Sequence, residues 1–224
     1  MNCTYSTCGC TAPRPASPLR RHAWYQRLHA WALSKGNARY ERAIHGAKQG
    51  LLGGLSGDVL EIGPGAGASL GYLDKRVRWT GIEPNAFAHG YLAEAAARHG
   101  IEARILEGVA ERLPVPDASV DAVISSLVLC TVGDPAAALA EIRRVLKPGG
   151  RFVFIEHVAA PEGTWLRRVQ RWMRRPQAVL GDGCAPDRDT LAAIESAGFG
   201  WVFASAEHMP VPLVGPHVLG YAVR

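Results

Sequence analysis

The chain of 224 residues has no long apolar run, no hydrophobic leader and no strong excess of one charge. No apolar run reaches the ~18 residues needed to span a bilayer, and the first 20 residues lack the hydrophobic stretch of a signal peptide. The 25 basic residues are mixed with 20 acidic ones, so the net charge of +5 predicts mild affinity for anions and no nucleic-acid partner. We therefore expect a cytoplasmic protein without stable membrane insertion.

Cysteine is also scarce, and the five cysteines form no recognisable zinc motif. Cys3, Cys8 and Cys10 cluster in a leader rich in Thr, Ser, Gly and Pro, which is typical of a disordered segment. Thiols stay reduced in a cytosolic setting. We interpret residues 1–20 as a disordered tail with exposed thiols and predict no metal site. The alternative is that the three cysteines hold a soft metal.

The rest of the chain alternates β and α patterns behind a helical start. Its length predicts one domain at residues 21–224, divided into N-terminal helices at 21–55, a core at 56–158, and an insert with a C-terminal hairpin at 159–224. The predicted strands lie near residues 57–62, 77–83, 101–106, 120–128, 150–158, 199–208 and 215–223. Helices are predicted near residues 67–74, 85–99, 134–146 and 188–197. This alternation predicts a parallel sheet that binds its ligand at the carboxyl ends of the strands.

The glycine-rich segment Val59–Gly67 is the most informative part of the sequence. A short apolar run followed by glycines at alternate positions predicts a strand, a tight turn and a helix, as in nucleotide-binding βαβ units. The glycines allow a sharp turn beside a ligand, and the N-terminus of the helix would accept an anionic group. Glu83 follows Glu61 by 22 residues and ends the second predicted strand, where a carboxylate can accept both hydroxyls of a ribose. The core at 56–158 is therefore predicted to bind a nucleoside cofactor.

The loop alone is compatible with two such cofactors, NAD and S-adenosylmethionine. Residues 63–68 fit the loose dinucleotide pattern with alanine in third place. Glu61 favours S-adenosylmethionine, because an acid beside the loop repels a pyrophosphate but suits a ligand with an ammonium and a sulfonium group.

Two later segments, residues 111–123 and 146–152, follow the loop and Glu83 in order. Together the four motifs resemble those of class I S-adenosylmethionine-dependent methyltransferases over about residues 55–158. The resemblance implies an α/β fold with a Rossmann-like seven-stranded sheet of order 3-2-1-4-5-7-6, the last strand antiparallel, helices on both faces and an N-terminal helical lid. The cofactor-binding residues that it implies are Glu61, Gly63, Pro64, Gly65, Gly67, Glu83, Pro84, Ala110, Glu111, Ser126 and Leu127. Val109 stands where many relatives have an Asp that binds the adenine amine, which leaves that contact to backbone groups or another side chain.

Four segments outside the cofactor loop resemble a narrower group, the alkyl thiol methyltransferases known as methyltransferase-like protein seven. They are residues 127–132, 155–159, 181–184 and 215–224. The resemblance implies a small thiol as the methyl acceptor. Animal members of the group carry an N-terminal hydrophobic anchor, where this chain has a polar tail with cysteines.

The sequence shows no clear catalytic dyad, but methyl transfer from a sulfonium mainly requires alignment and exclusion of water. A thiol ionises near pH 8.5, so modest help suffices. His157, at the end of the fifth predicted strand, is the predicted base; its alternative role is a hydrogen bond to loop backbone. Asp182 is predicted to orient His157 or bind the acceptor, although an Asp between two glycines is typical of a turn.

Two aromatic segments allow two interpretations each. Trp24, Tyr25 and Trp31 either pack on the domain or form the lid over the acceptor site. In residues 165–175 the apolar side chains lie three or four positions apart, with arginines between them. This pattern favours a helix with one buried face over a helix that touches anionic lipid. Cys130 is predicted to pack as a small apolar residue and Cys184 to be exposed after a turn.

The sequence thus predicts a methyltransferase that uses S-adenosylmethionine, releases S-adenosylhomocysteine and acts on a small-molecule acceptor, with a thiol favoured. The alternative is an O- or N-methyltransferase of a small natural product or lipid headgroup. Arsenic methylation is less favoured, because Cys130 and Cys184 offer two thiols where a trivalent soft ligand usually needs three. A non-catalytic cofactor sensor or RNA-associated partner is the alternative outside catalysis. The sequence does not determine the oligomeric state.

Overall fold

Seven strands form one sheet in the order β3-β2-β1-β4-β5-β7-β6, as predicted. The strands are β1 (Asp58–Ile62), β2 (Arg78–Ile82), β3 (Glu102–Leu106), β4 (Val120–Ser126), β5 (Leu146–His157), β6 (Trp201–His208) and β7 (Pro216–Val223). β1 to β5 pair in parallel, whereas β7 runs antiparallel to both β5 and β6. The computed structural model describes residues 18–224, so Cys3, Cys8, Cys10 and most of the predicted tail lie outside the described residues.

Helices cover both faces of this sheet. They are α1 (Ala23–Lys35), α2 (Ala38–Leu52), α3 (His89–His99), α4 (Pro135–Val145), α5 (Trp165–Leu180) and α6 (Thr190–Ser196). One apolar cluster joins α4 and α6 to β4 and β5, and a second joins α2 and α3 to β1 and β2. The central strands are buried on both sides, and this explains their nearly continuous apolar sequence.

The helix predicted at residues 67–74 is wrong, since the structure has only a 3-10 turn at Leu70–Tyr72. Gly63, Gly65 and Gly67 all have positive φ, so a right-handed helix cannot start before residue 68. Glycine at position 71 then weakens any continuation. The predicted helix N-terminus that would accept an anionic group is therefore absent behind the loop.

Two strand boundaries also differ from the prediction. β4 ends at Ser126 and not at residue 128, because Leu127 has a φ of 59° and turns the chain out of the strand. β5 begins at Leu146, four residues before the predicted start, where Leu146 pairs with Val120 across a bulge. The early exit at Leu127 matters for the site, because it directs residues 127–133 across the carboxyl end of the sheet.

The aromatic helices have a different burial from the one predicted. In α5, Trp165 and Trp172 are 72% and 77% exposed, so the expected buried face is wrong for these two side chains. In α1, Trp24 and Trp31 are exposed, while Tyr25 is buried and its hydroxyl donates to the carbonyl oxygen of Leu180. Within residues 18–224, none of the helices has the length and apolar character needed to cross a membrane.

Candidate active site

A cavity of about 1040 Å³ opens at the carboxyl ends of β1, β2, β4 and β5. α1, α2 and the loop after α5 cover it from the other side. All thirteen residues that were predicted to bind the cofactor or to take part in catalysis line this one cavity. Its volume lies just above the ~300–1,000 Å³ typical of ligand sites, which leaves room for a nucleoside cofactor and a small second molecule.

We name the side of the cavity formed by Glu61, Gly63–Gly67 and Glu83–Pro84 the cofactor wall. Gly63 donates its N–H to the carbonyl oxygen of Ile82, which places the loop across the ends of β1 and β2. A Cβ at Gly63 would lie 2.7 Å from Val128 Cγ2, so this position has no room for a side chain. The backbone of the loop is thereby kept open toward the cavity.

Glu83 connects the two parts of the cofactor wall. Its Oε2 accepts the Gly65 N–H at 2.9 Å, and its Oε1 accepts the Asn85 N–H at 2.8 Å. Burial raises the pKa of this carboxyl, while the two N–H donors oppose that shift. Each oxygen still has a free lone pair, so the carboxylate can accept further hydrogen bonds from a ribose.

Glu61 is the more deeply buried acid, with 1% of its surface exposed. Its Oε2 accepts from Trp79 Nε1 at 3.1 Å. Burial raises its pKa to about 7, although hydrogen bonds from Ser69 and Trp79 favour the ionised form. Among the described residues no cationic side chain donates a hydrogen bond to Glu61. The charge of Lys48 also favours the ionised form, without a hydrogen bond between the two side chains. A buried acid that lines a cavity and has no cationic hydrogen-bond donor fits a positively charged ligand.

The loops after β3 and β4 complete the end of the cavity that is predicted to hold the nucleoside. Val109 and Ala110 line the cavity, and Glu111 Oε1 accepts the N–H groups of Gly133 and Asp134 at 2.8 and 3.3 Å. The carboxylate of Glu111 thus fixes the loop after β4 instead of standing free. With Val109 apolar, polar contacts to a base at this end are left to backbone groups or other side chains.

Lys48 is a cavity residue that the sequence analysis did not identify. It projects from α2, is 1% exposed and donates to both carboxylate oxygens of Glu41 at 2.9 and 3.0 Å. Its helical pattern is that of a buried position, and buried lysines are rare unless paired. Only the tertiary packing of α2 over the glycine loop shows that this cation faces the cavity.

We name the opposite side, formed by Tyr40, Leu127, Cys130, His157 and Cys184, the acceptor wall. His157 Nε2 lies 3.0 Å from Cys184 Sγ, and both residues are buried. The prediction that Cys184 is exposed is therefore wrong, whereas the predicted burial of Cys130 is confirmed. The pKa of the Cys184 thiol is lowered, first by a hydrogen bond with Cys130 and then by His157. The pKa of the Cys130 thiol is raised by the same hydrogen bond and by burial.

Asp182 does not contact His157 but forms an ion pair with Arg20. Arg20 Nε and Nη2 donate to the two carboxylate oxygens at 2.6 and 2.7 Å, and His29 lies 3.9 Å from the same group. Asp182 has a φ of 52°, consistent with the turn that its flanking glycines predict. The predicted role in orienting His157 is not present in this structure. Asp182 instead connects the loop after α5 to residues preceding α1.

Comparison with known proteins assigns the family. A family model described as a methyltransferase domain matches residues 60–154. The human thiol S-methyltransferase TMT1B is 36% identical over 214 residues, which cover 90% of this chain and 86% of the relative. The chain belongs to this methyltransferase family. It is an S-adenosylmethionine-dependent methyltransferase, and the class I resemblance predicted from the motifs is confirmed.

More distant matches agree with the fold of this methyltransferase. A phosphatidylethanolamine N-methyltransferase from Cereibacter sphaeroides is 35% identical over 132 residues, or 56% of this chain and 62% of the relative. The crystal structure of an S-adenosylmethionine-dependent methyltransferase from Thermotoga maritima has a TM-score of 0.57 at 22% identity, covering 91% of this chain and 93% of the other. This last likeness shows a shared Rossmann-like fold.

Proposed function

We propose that this methyltransferase transfers the methyl group of S-adenosylmethionine to the sulfur of a small-molecule thiol. The observation that carries the proposal is the extent of the similarity to a thiol S-methyltransferase. Because 90% of the chain is aligned, the similarity includes the acceptor wall as well as the cofactor wall. The match to the N-methyltransferase covers little more than half of the chain, and therefore supports the alternative acceptor less well.

On the cofactor wall, the roles follow from charge and position. Glu61 faces the cationic amino-acid end of the cofactor, because it is the buried acid without a cationic hydrogen-bond partner. Glu83 accepts the ribose hydroxyls through its remaining lone pairs. Beside the cofactor wall, Ala110 and Ser126 contribute contacts around the rest of the nucleoside, together with Leu127 at the edge of the acceptor wall. When bound, S-adenosylmethionine supplies an activated methyl group on a positively charged sulfur.

On the acceptor wall, the protein aligns the thiol and keeps water away. Leu127, Val128 and Val214 give this part of the cavity an apolar lining that suits an alkyl thiol. The acceptor sulfur forms a bond to the methyl carbon, and the electrons of the broken carbon–sulfur bond stay on the sulfur of the departing S-adenosylhomocysteine. The thiol proton leaves before or during this step, and His157 is the polar side chain of the wall placed to receive it.

A matched set of acceptors tests the proposal. Purified protein is incubated with methyl-labelled S-adenosylmethionine and three compounds of the same carbon skeleton that carry a thiol, a hydroxyl or an amine. We expect labelled methyl thioether and unlabelled S-adenosylhomocysteine in equimolar amounts, and less of both with Glu83→Ala at limiting cofactor. Label on the hydroxyl or amine compound alone would contradict the thiol assignment and favour the alternative. Cofactor binding without any labelled product would favour a sensor.

Location and partners remain predictions from the sequence. The cytoplasmic location, the lack of a nucleic-acid partner and the lack of stable membrane insertion follow from the charge and hydropathy pattern alone.

A further inference from the structure

Three potential metal ligands meet on the acceptor wall. Cys130 lies in the loop after β4, His157 is the last residue of β5, and Cys184 lies in the loop after α5. One ligand atom from each, the two Sγ atoms and a ring nitrogen of His157, lie within 4.8 Å of one another. All three residues are buried and all three line the cavity.

We propose that Cys130, His157 and Cys184 bind a soft divalent cation such as Zn²⁺, with a fourth coordination position open to the cavity. Two thiolates and one imidazole are a known donor set of zinc sites that keep an open position. The two thiolates also balance the charge of the ion, so the buried site becomes neutral when it is filled. The sequence gives no motif for this site, because 27 residues separate each cysteine from His157. No metal site was therefore predicted.

The geometry requires only small side-chain movements. Tetrahedral coordination with bonds of about 2.3 Å to sulfur and about 2.0 Å to nitrogen places the ligand atoms about 3.5–3.8 Å apart. Here His157 Nε2 and Cys184 Sγ are 3.0 Å apart, and no pair in the cluster exceeds 4.8 Å. The 3.0 Å contact would lengthen and the wider contacts would shorten around an ion.

The protonation states are compatible with binding through Nε2. His157 Nδ1 has no hydrogen-bond partner within residues 18–224, so no contact there forces the proton onto Nε2. Binding of one M²⁺ ion to the two sulfurs in their thiolate form makes two metal–sulfur bonds and releases to solvent each proton that a thiol still carries. The nearby Arg188 is held by the carbonyl oxygens of Leu129 and Val132, so its guanidinium is directed to the loop backbone.

One consequence rests on the proposed function. A thiol that enters the fourth position would be deprotonated by the metal itself, and His157 would then act as a ligand and not as a base. The metal test below is independent of catalysis, so its failure would leave S-methylation in place, and failure of S-methylation would leave the metal site in place.

Cobalt(II) is the probe, because its thiolate complexes absorb in the visible and near ultraviolet. The full chain is treated with a chelator, reduced with a phosphine and titrated with Co²⁺. We expect one equivalent to produce sulfur-to-cobalt charge-transfer absorption and tetrahedral d–d bands, and one equivalent of Zn²⁺ to abolish both. The chain with Cys3→Ser, Cys8→Ser and Cys10→Ser is the matched control, and its spectrum should be unchanged.

Each of the variants Cys130→Ser, Cys184→Ser and His157→Gln loses one ligand atom. Loss of a residue that only hydrogen-bonds a metal ligand already weakens binding about 10- to 100-fold, so each variant should weaken Co²⁺ binding by more than that. Binding of S-adenosylhomocysteine by each variant shows that it is folded. The proposal is overturned if folded Cys130→Ser and Cys184→Ser retain the cobalt spectrum, or if only the control with the three N-terminal serines loses it. It is also overturned if the reduced wild-type chain binds no cobalt.

Discussion

The two walls of the cavity differ in how far apart along the chain their residues lie. The cofactor wall comes from two motifs within residues 61–84, at the ends of neighbouring strands. The acceptor wall combines residues from 40 to 184, brought together by α2, β4, β5 and the loop after α5. A wall built from a continuous motif can be recognised in one sequence, whereas a wall built from distant segments depends on the whole fold.

The largest expected effect comes from filling space in the cofactor wall. Gly67→Ala places a Cβ 2.8–2.9 Å from Leu70 Cδ1 and Ala95 Cβ at a φ of 85°. Left-handed strain and overpacking together should lower the free energy of unfolding by about 2–4 kcal/mol. Gly46→Ala is the control, because that helical glycine is exposed with nothing within 4 Å of a Cβ. It should raise stability by about 0.5–1 kcal/mol. Denaturant unfolding of both variants checks this, and equal effects would contradict it.

On the acceptor wall, His157→Gln should separate catalysis from cofactor binding. We expect methyl transfer to fall about 100-fold, because the variant can neither take the thiol proton nor ligate a metal well. The affinity for S-adenosylhomocysteine should stay within about twofold of the wild type, since His157 lies outside the cofactor wall. Initial rates and calorimetry measure the two quantities. A parallel loss of both would mean that the two walls are not independent.

Glu83→Ala should have the opposite pattern. Loss of the charge-assisted hydrogen bonds should weaken binding of S-adenosylhomocysteine by about 1–3 kcal/mol, and activity should recover in part at saturating cofactor. Glu94→Ala, on the exposed side of α3, serves as the control and should bind as tightly as the wild type. Calorimetry on both variants provides the comparison. Unchanged affinity in Glu83→Ala would show that the ribose assignment is wrong.

Glu61 predicts a pH dependence of cofactor binding. Its pKa is raised to about 7 in the free protein, and a cationic ligand favours the ionised form. The affinity for S-adenosylmethionine should therefore rise about tenfold from about pH 6 to about pH 8. The free energy of unfolding of the ligand-free protein should change in the opposite direction. Glu61 keeps its proton to a higher pH in the folded state than in the unfolded chain, so its contribution to stability is lost as pH rises from about 4.5 to 7. Glu61→Gln should bind more weakly at every pH with a flat profile, and a sloping profile would assign the titration to another group.

The smallest effect is expected at the boundary between the walls, where Asp182 pairs with Arg20. Both side chains are partly exposed, so the coupling measured in a double-mutant cycle of Arg20→Ala and Asp182→Asn should be about 1 kcal/mol or less. If Asp182 acts through this ion pair, the two single variants should change kcat and KM alike. A loss of kcat in Asp182→Asn alone would instead support the predicted catalytic role.

The sheet order was predicted through the resemblance to class I methyltransferases and is confirmed. That the predicted site residues would meet at one cavity followed from the strand ends and glycine turns, which are local features. Prediction from the sequence failed where the local signal was ambiguous. The glycines that identify the loop also prevent the helix predicted behind it, and the spacing of Trp165 and Trp172 does not distinguish a buried face from an exposed one. Lys48 was also missed, because its helical spacing indicates a buried position but not that this position faces the cavity.

The sequence by itself determined the family and the cofactor and predicted the residues of the cofactor wall, since these depend on residue types within short, ordered motifs. Only the tertiary structure decided that Asp182 pairs with Arg20 and that Cys130, His157 and Cys184 converge. Those contacts join segments between 27 and 162 residues apart. Contacts over such distances are set by strand order and loop paths, and no periodicity within a short segment encodes them.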